Sequence, residues 1–144
     1  MPQKITTGHR ALLEAAERSI KTITAESAVS MHGRDHVVFV DLRDIRELQR
    51  DGRIPGAFHC PRGMLEFWVD PDSPYHKPVF AEDKQFLFFC NGGLRSALAT
   101  ETAQRMGLKP VAHIGGGFSA WKKANGPVET VESKPSGDGE RTKK

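Results

Sequence analysis

This chain of 144 residues lacks several features that would place it in a protein class at once. It has only two cysteines, Cys60 and Cys90, so a disulfide framework is not indicated. No apolar run approaches the roughly 18 residues that a membrane span needs. The first residues contain no signal-peptide core. We therefore expect no membrane association and a cytoplasmic location, where a reducing environment keeps thiols free.

The chain also has little excess of charge of one sign. The net charge is +3, and the basic residues are scattered along the chain. The basic cluster at 141–144 directly follows Asp138 and Glu140, and such a mixture of charges is typical of a solvated segment and not of a nucleic-acid-binding arm. The histidines and cysteines have no spacing typical of metal ligands. We therefore expect no nucleic-acid partner, no metal and no other cofactor.

What remains is the composition of an ordinary globular protein. The chain is 38% hydrophobic and 27% charged, and its length fits one domain. We assign that single domain to residues 1–128. From Glu129 onward, proline, glycine, serine and alternating charges predict a disordered C-terminal tail over 129–144.

Short apolar runs alternate with helical patterns along the domain. Residues 8–22 predict an amphipathic helix packed on the domain, and Thr24 is suited to cap a second helix. The runs at 37–40 and 86–89 are too short for helices and are typical of buried strands. The alternation predicts an α/β fold with a parallel sheet and helices on both faces.

The segment with the most chemical information begins at Cys90, directly after the strand at 86–89. Two glycines turn the chain there into a helix expected to start at Arg95. Peptide N–H groups in such a turn have no intrahelical partner and converge on one point, where they can hold an anion. The anion can be the Cys90 thiolate itself, which the charge of Arg95 also stabilises. We therefore predict a cysteine nucleophile, with a small buried side chain at a strand end as the competing interpretation.

The length of this loop bears on the reaction. Four residues, 91–94, separate Cys90 from Arg95, whereas five separate the cysteine from the arginine in Cys-x5-Arg phosphatases. A shorter loop forms a smaller ring of N–H donors, which suits one terminal sulfur better than a phosphate group. The pattern Cys-x-x-Gly-x-Arg-Ser resembles the active-site loop of the rhodanese sulfurtransferases.

Other blocks of the chain resemble the same family, in the same order. The segment 37–43 is similar to its second strand, which ends in Asp-x-Arg, and 52–57 to its Gly-His-Ile-Pro-Gly-Ala turn, with Arg53 in place of histidine. The segment 113–121 is similar to its closing strand and Gly-Gly-Trp-x-Ala-Trp turn, with Phe118 in place of the first tryptophan. The resemblance covers about residues 35–128.

The resemblance implies a rhodanese-like fold with a central parallel five-stranded sheet. It also implies a thiosulfate sulfurtransferase, in which Cys90 takes a sulfane sulfur from thiosulfate or a similar donor as a persulfide and passes it to cyanide or a thiol. The predicted substrate-binding residues are Asn91, Gly92, Gly93, Leu94, Arg95, Ser96 and Arg62. One alternative is a carrier module that delivers persulfide sulfur to a partner protein. A cysteine-loop phosphatase or arsenate reductase is disfavoured by the loop length.

Several residues outside the loop have competing interpretations. The irregular segment 61–80, which contains Arg62, either borders the Cys90 loop or seals the edge of the core. Cys60 could resolve a persulfide on Cys90, but burial is the favoured interpretation. His76 is a candidate acid or base near the site.

Charged residues near the strand ends are expected to be structural. Asp41 and Arg43 could contact substrate, but the favoured interpretation is that they orient the neighbouring turn through hydrogen bonds. Arg53 could hold a surface carboxylate or add positive potential, and a structural role is again favoured.

Overall fold

Five short parallel strands form the centre of the fold. The computed structural model describes residues 2–131. The sheet has the order β1-β5-β4-β2-β3, and all four pairings are parallel. The strands are β1 (Lys21–Ile23), β2 (Val37–Asp41), β3 (Phe58–His59), β4 (Gln85–Phe89) and β5 (Val111–Ile114). The predicted five-stranded parallel sheet is confirmed.

Helices cover both faces of this sheet, as predicted. The helices α4 and α5 contribute to one apolar core, and α2 and α6 to the other. The N-terminal helix α1 packs on α5. The helices are α1 (His9–Ser19), α2 (Ala25–Met31), α3 (Ile45–Asp51), α4 (Leu65–Val69), α5 (Leu94–Met106) and α6 (Gly117–Lys123). Among residues 2–131, none of these helices is long and apolar enough to cross a membrane.

The position of β4 in the middle of the sheet explains why its sequence is a continuous apolar run. Phe86 and Phe88 face the core shared with α4 and α5, whereas Leu87 and Phe89 face the core shared with α2 and α6. A strand buried on both faces has no polar alternation, because neither set of side chains meets water.

The N-terminal helix is shorter than predicted. We expected a helix over 8–22, but α1 ends at Ser19, and Lys21–Ile23 forms the edge strand β1 beside β5. Ile23 is the only residue of β1 that is buried. A strand of three residues with one buried side chain has no period of its own, so the sequence pattern does not separate it from the helix before it.

The start of α2 agrees with the sequence. The Thr24 hydroxyl accepts a hydrogen bond from the Ser27 N–H at 3.1 Å. This confirms the predicted cap.

The domain extends beyond the predicted boundary at residue 128. Glu129 and Arg53 exchange two backbone hydrogen bonds of 2.9 Å, and the Arg53 Nε donates to the Glu129 carboxylate at 2.6 Å. Arg53 therefore holds a surface carboxylate, as predicted, but that carboxylate belongs to the predicted tail. The rest of that tail from residue 132 lies outside the described residues.

Candidate active site

Cys90 lies at the carboxyl end of β4, in the middle of the sheet. The strands β2 and β5 flank β4, and the Leu42 N–H donates to the Phe89 carbonyl at 2.9 Å just before the cysteine. Cys90 is only 1% exposed. The carboxyl edge of an open parallel sheet is where such folds place their sites, and here that edge presents a buried thiol.

The loop after Cys90 directs a backbone donor at the sulfur. The Gly93 N–H donates to the Cys90 Sγ at 3.1 Å. Gly93 has a φ of 103°, a left-handed conformation that glycine adopts without a steric cost, and it precedes the first residue of α5. The helix begins at Leu94, one residue earlier than expected. The predicted amide cradle is thus represented by one direct N–H to sulfur hydrogen bond.

The first residues of α6 hold this loop in place through backbone hydrogen bonds. The Phe118 N–H donates to the Cys90 carbonyl at 2.8 Å, and the Ser119 N–H donates to the Asn91 carbonyl at 3.1 Å. Because α6 binds these carbonyls, it fixes the loop orientation that places the Gly93 N–H on the sulfur. Gly117 has a φ of 60°, and a Cβ on it would overlap the Cys90 carbonyl oxygen. The glycine run at 115–117 was predicted only as a turn, and its contact with the loop was not foreseen.

Arg95 is paired with a carboxylate that sequence reasoning missed. Its guanidinium donates to both carboxylate oxygens of Glu47, at 2.8 and 3.0 Å. Glu47 raises the pKa of Arg95, and the neighbouring Cys90 adds to that rise. Glu47 also accepts from the Asp44 N–H at 3.1 Å in the capping box of α3. The charge of Arg95 is therefore paired with Glu47, and Arg95 lies close enough to Cys90 for the sulfur to influence its pKa.

This ion pair predicts a contribution to stability in acid. The Arg95 hydrogen bonds lower the pKa of Glu47 from 4.5 to about 2. A lowered carboxyl pKa stabilises the fold above pH 4.5, and the contribution is lost as the pH falls toward 2. We expect roughly 1–2 kcal/mol after solvent screening, because Arg95 is partly exposed. Urea unfolding at pH 3 and pH 7 should therefore show a smaller loss in acid for Glu47→Gln than for the wild type; equal losses would contradict this account.

Asp41 and Arg43 form a buried ion pair below the site. The Arg43 Nε and Nη2 donate to the two Asp41 carboxylate oxygens at 2.9 and 2.8 Å. Nη2 also donates to the Gly52 carbonyl at 2.9 Å, which confirms the predicted structural role of the pair at the neighbouring turn. The Arg43 guanidinium lies 4.1 Å from the ring centroid of Phe118, the residue that replaces the family's tryptophan.

The segment 61–80 is bonded largely to itself. The Arg62 Nη1 donates to Glu66 at 3.0 Å, and the Arg62 N–H donates to the Leu42 carbonyl at 3.2 Å. The His76 Nδ1 lies 3.0 Å from the Trp68 carbonyl oxygen. The backbone of Arg62 therefore lies next to the end of β2, and its side-chain charge is paired with Glu66. Its binding of substrate, like that of 91–96, stays a prediction.

Cys60 is buried, as favoured from the sequence. It is 0% exposed within the core shared with α4 and α5. Burial raises the pKa of its thiol to about 12, so it is protonated at neutral pH. Its backbone N–H donates to Asp41 of β2, the strand between β3 and β4. A protonated core thiol is a poor candidate for attacking a persulfide on Cys90.

Sequence reasoning also missed a hydrogen-bonded group of one serine and one histidine, both buried, next to Cys90. The Cys90 thiol donates to the Ser96 Oγ at 3.6 Å, and this Oγ lies 2.9 Å from the His113 Nδ1. Ser96 was predicted only as part of the loop, and His113 only as part of the closing strand. The described residues contain no group of three or more histidine, cysteine or acidic side chains placed to bind a metal ion.

A cysteine in a short loop at the carboxyl end of the central strand of an α/β fold is an arrangement suited to nucleophilic chemistry at the sulfur. The sequence model of the rhodanese-like domain family matches residues 24–124, about seven-tenths of the chain. The chain belongs to the rhodanese-like sulfurtransferase family.

Known proteins similar to this chain carry two kinds of description. A solved structure from Rhodopseudomonas palustris, described as a protein of unknown function and possible tyrosine phosphatase, is 62% identical with a TM-score of 0.88, over 90% of this chain and 99% of its own. Thiosulfate sulfurtransferase 18 of Arabidopsis thaliana is 39% identical over 58% of this chain and 60% of its own length. Thiosulfate sulfurtransferase GlpE of Shewanella oneidensis is 28% identical over 74% of this chain and 97% of its own length.

Proposed function

We propose that the protein is a thiosulfate-type sulfurtransferase that works through a persulfide on Cys90. The observation that carries this proposal is the Gly93 N–H donating to the Cys90 sulfur inside a loop of four intervening residues. A fixed N–H donor stabilises negative charge on the sulfur without reorganisation during the reaction. Both cysteines are free among the described residues, and we propose the cytoplasm as the compartment because it keeps such thiols reduced.

The transfer has two displacement steps. The Cys90 thiolate attacks the outer sulfur of thiosulfate, a new S–S bond forms, and the donor's own S–S bond breaks so that sulfite leaves with the electron pair. A thiolate or cyanide then attacks the outer sulfur of the Cys90 persulfide. The Cys90–sulfur bond breaks, which yields an acceptor persulfide or thiocyanate and regenerates the Cys90 thiolate. No external oxidant or reductant is needed.

Local charge bears on the choice of donor. The side chains of 91–94 are neutral, and the two cations predicted to bind substrate, Arg95 and Arg62, are paired with Glu47 and Glu66. A dianionic donor therefore meets little uncompensated positive charge. This favours a low affinity for thiosulfate and is the observation that supports the second candidate, a carrier that exchanges sulfur with a protein thiol.

The exposed side chains near the loop are also compatible with a protein acceptor. Leu94, the last of the four residues between Cys90 and Arg95, is 60% exposed, and Ile45, at the start of the helix that holds Glu47, is 46% exposed. Apolar side chains around a reacting group add contact area for a protein but little for a small anion.

The phosphatase alternative has its support in the description of the Rhodopseudomonas relative. Against it stands the loop, which is one residue shorter than that of the Cys-x5-Arg phosphatases. Hydrolysis of p-nitrophenyl phosphate by the wild type, absent from Cys90→Ser, would support the phosphatase and contradict our proposal.

The decisive experiment measures the intact mass after brief incubation with thiosulfate. We expect the wild type to gain one sulfur atom and to lose it to cyanide with release of thiocyanate, because the sulfur is held as a persulfide. Cys90→Ser should gain nothing, whereas Cys60→Ala should behave as the wild type, because Cys60 is buried and protonated. A sulfur that cyanide cannot remove would favour the carrier. No gain from thiosulfate, 3-mercaptopyruvate or glutathione persulfide would contradict the proposal.

A further inference from the structure

A line of hydrogen-bonding groups connects the Cys90 sulfur with the edge of the sheet. The Cys90 Sγ is 3.6 Å from the Ser96 Oγ, which is 2.9 Å from the His113 Nδ1. On the other side of the ring, the His113 Nε2 is 3.1 Å from the Thr22 Oγ1. The four groups come from the loop, α5, β5 and β1, and Thr22 and His113 are paired residues in the β1–β5 ladder.

Burial changes sharply at the last member of this line. Cys90, Ser96 and His113 are 1%, 0% and 3% exposed, whereas Thr22 is exposed. The line therefore starts at a thiol that is almost completely buried and ends at the side chain of a residue that is exposed to solvent. Its outer end lies on the edge strand and not at the Cys90 loop.

We propose that Ser96, His113 and Thr22 conduct the Cys90 proton to solvent and then stabilise the thiolate that remains. The thiol passes its proton to the Ser96 Oγ as the serine proton moves to the His113 Nδ1. The Nε2 proton moves to the Thr22 Oγ1, and Thr22 releases its own proton to water. One S–H bond is lost, one proton enters solvent, and every other member ends neutral with its hydrogen bond reversed. Ser96 touches the reacting sulfur, and His113 and Thr22 are positioning residues.

The reversal requires an uncharged imidazole, and the surroundings provide one. Burial lowers the pKa of His113, while the charge of Glu17 on α1 opposes this shift. The groups that are hydrogen-bonded to the ring are the neutral hydroxyls of Ser96 on α5 and Thr22 on β1. A neutral imidazole can donate from one nitrogen and accept at the other, so it can take either direction in the line.

The path has a use in the reaction that we propose, and to that extent it rests on the proposed function. Cys90 is only 1% exposed, so a proton that leaves its thiol needs a path to solvent. After the reversal, Ser96 donates to the sulfur together with the Gly93 N–H. Hydrogen bonds in such a line strengthen one another in a buried environment.

The test is the pH dependence of Cys90 alkylation by iodoacetamide, a neutral reagent that needs no sulfur transfer. Thr22→Val keeps the side-chain shape but removes the hydroxyl, Thr22→Ser keeps the hydroxyl, and His113→Asn breaks the line at the ring. Peptide mapping by mass assigns the alkylated cysteine, and Cys60, with a pKa of about 12, stays unreacted near neutral pH.

We expect Thr22→Val and His113→Asn to react about three- to tenfold more slowly than the wild type at pH 7. Their rates should converge on the wild type at high pH, where the thiolate forms without help, and Thr22→Ser should match the wild type throughout. A Thr22→Val profile equal to that of the wild type would overturn the proposal. A Thr22→Val rate lowered by the same factor at every pH would also overturn it, since that indicates altered access. Because the assay uses no sulfur donor, a failure of sulfur loading would be seen separately.

Discussion

Replacing Asp41 with alanine should lower the free energy of unfolding by about 3–5 kcal/mol, because it leaves a charged arginine buried without its partner. Arg43 is 0% exposed, and Asp41 accepts two of its side-chain hydrogen bonds. The remaining partners of the guanidinium are the Gly52 carbonyl and the Phe118 ring, neither of which carries a compensating charge. Urea unfolding at pH 7 measures the loss.

A double variant separates the charge from the packing. Asp41→Ala combined with Arg43→Met removes both charges, so it should be more stable than Asp41→Ala alone. Glu82→Ala, which removes the exposed partner of Lys84, serves as a control and should stay close to the wild type. If Asp41→Ala lost no more than this control, the buried pair would contribute little to the stability of the fold.

The sequence predicted those parts of the site that depend on neighbouring residues. The run at 86–89, the glycines after Cys90 and the helix that follows are local features, and together they placed a cysteine at the end of a buried strand. The turn around Arg43 and Gly52 was likewise predictable, because the strand end at 37–43 and the turn at 52–57 are each recognised from neighbouring residues.

The parts that escaped prediction are pairings between distant residues. Glu47 and Arg95 are 48 residues apart, and Thr22 and His113 are 91 apart. Neither pair has a local signal, since Glu47 is explained by its capping box and His113 by its place in a strand. The edge strand β1 was missed for the same reason, because its pairing with β5 and not its own pattern makes it a strand.

The contact between α6 and the Cys90 loop leads to the prediction with the largest effect on geometry. Gly117→Ala should lower the free energy of unfolding by roughly 2 kcal/mol and slow sulfur loading of Cys90 about 100-fold. Gly117 has a φ of 60°, where a Cβ is disfavoured, and that Cβ would overlap the Cys90 carbonyl and lie 2.7 Å from the Asn91 carbonyl oxygen. Backbone atoms have no rotamer by which to move aside, so α6 and the loop must separate.

That separation is expected to act on the chemistry through the backbone. The amides of Phe118 and Ser119 would lose the loop carbonyls, and the Gly93 N–H would turn away from the sulfur. A displacement of about 1 Å is enough to cost a reaction of this kind two orders of magnitude. Urea unfolding and the rate of mass gain with thiosulfate measure the two effects, and Gly63→Ala, where a Cβ meets open space, is the matched control. If Gly117→Ala lost stability but loaded sulfur at the wild-type rate, the loop would hold its geometry without α6, and Cys90 would depend on Gly93 alone.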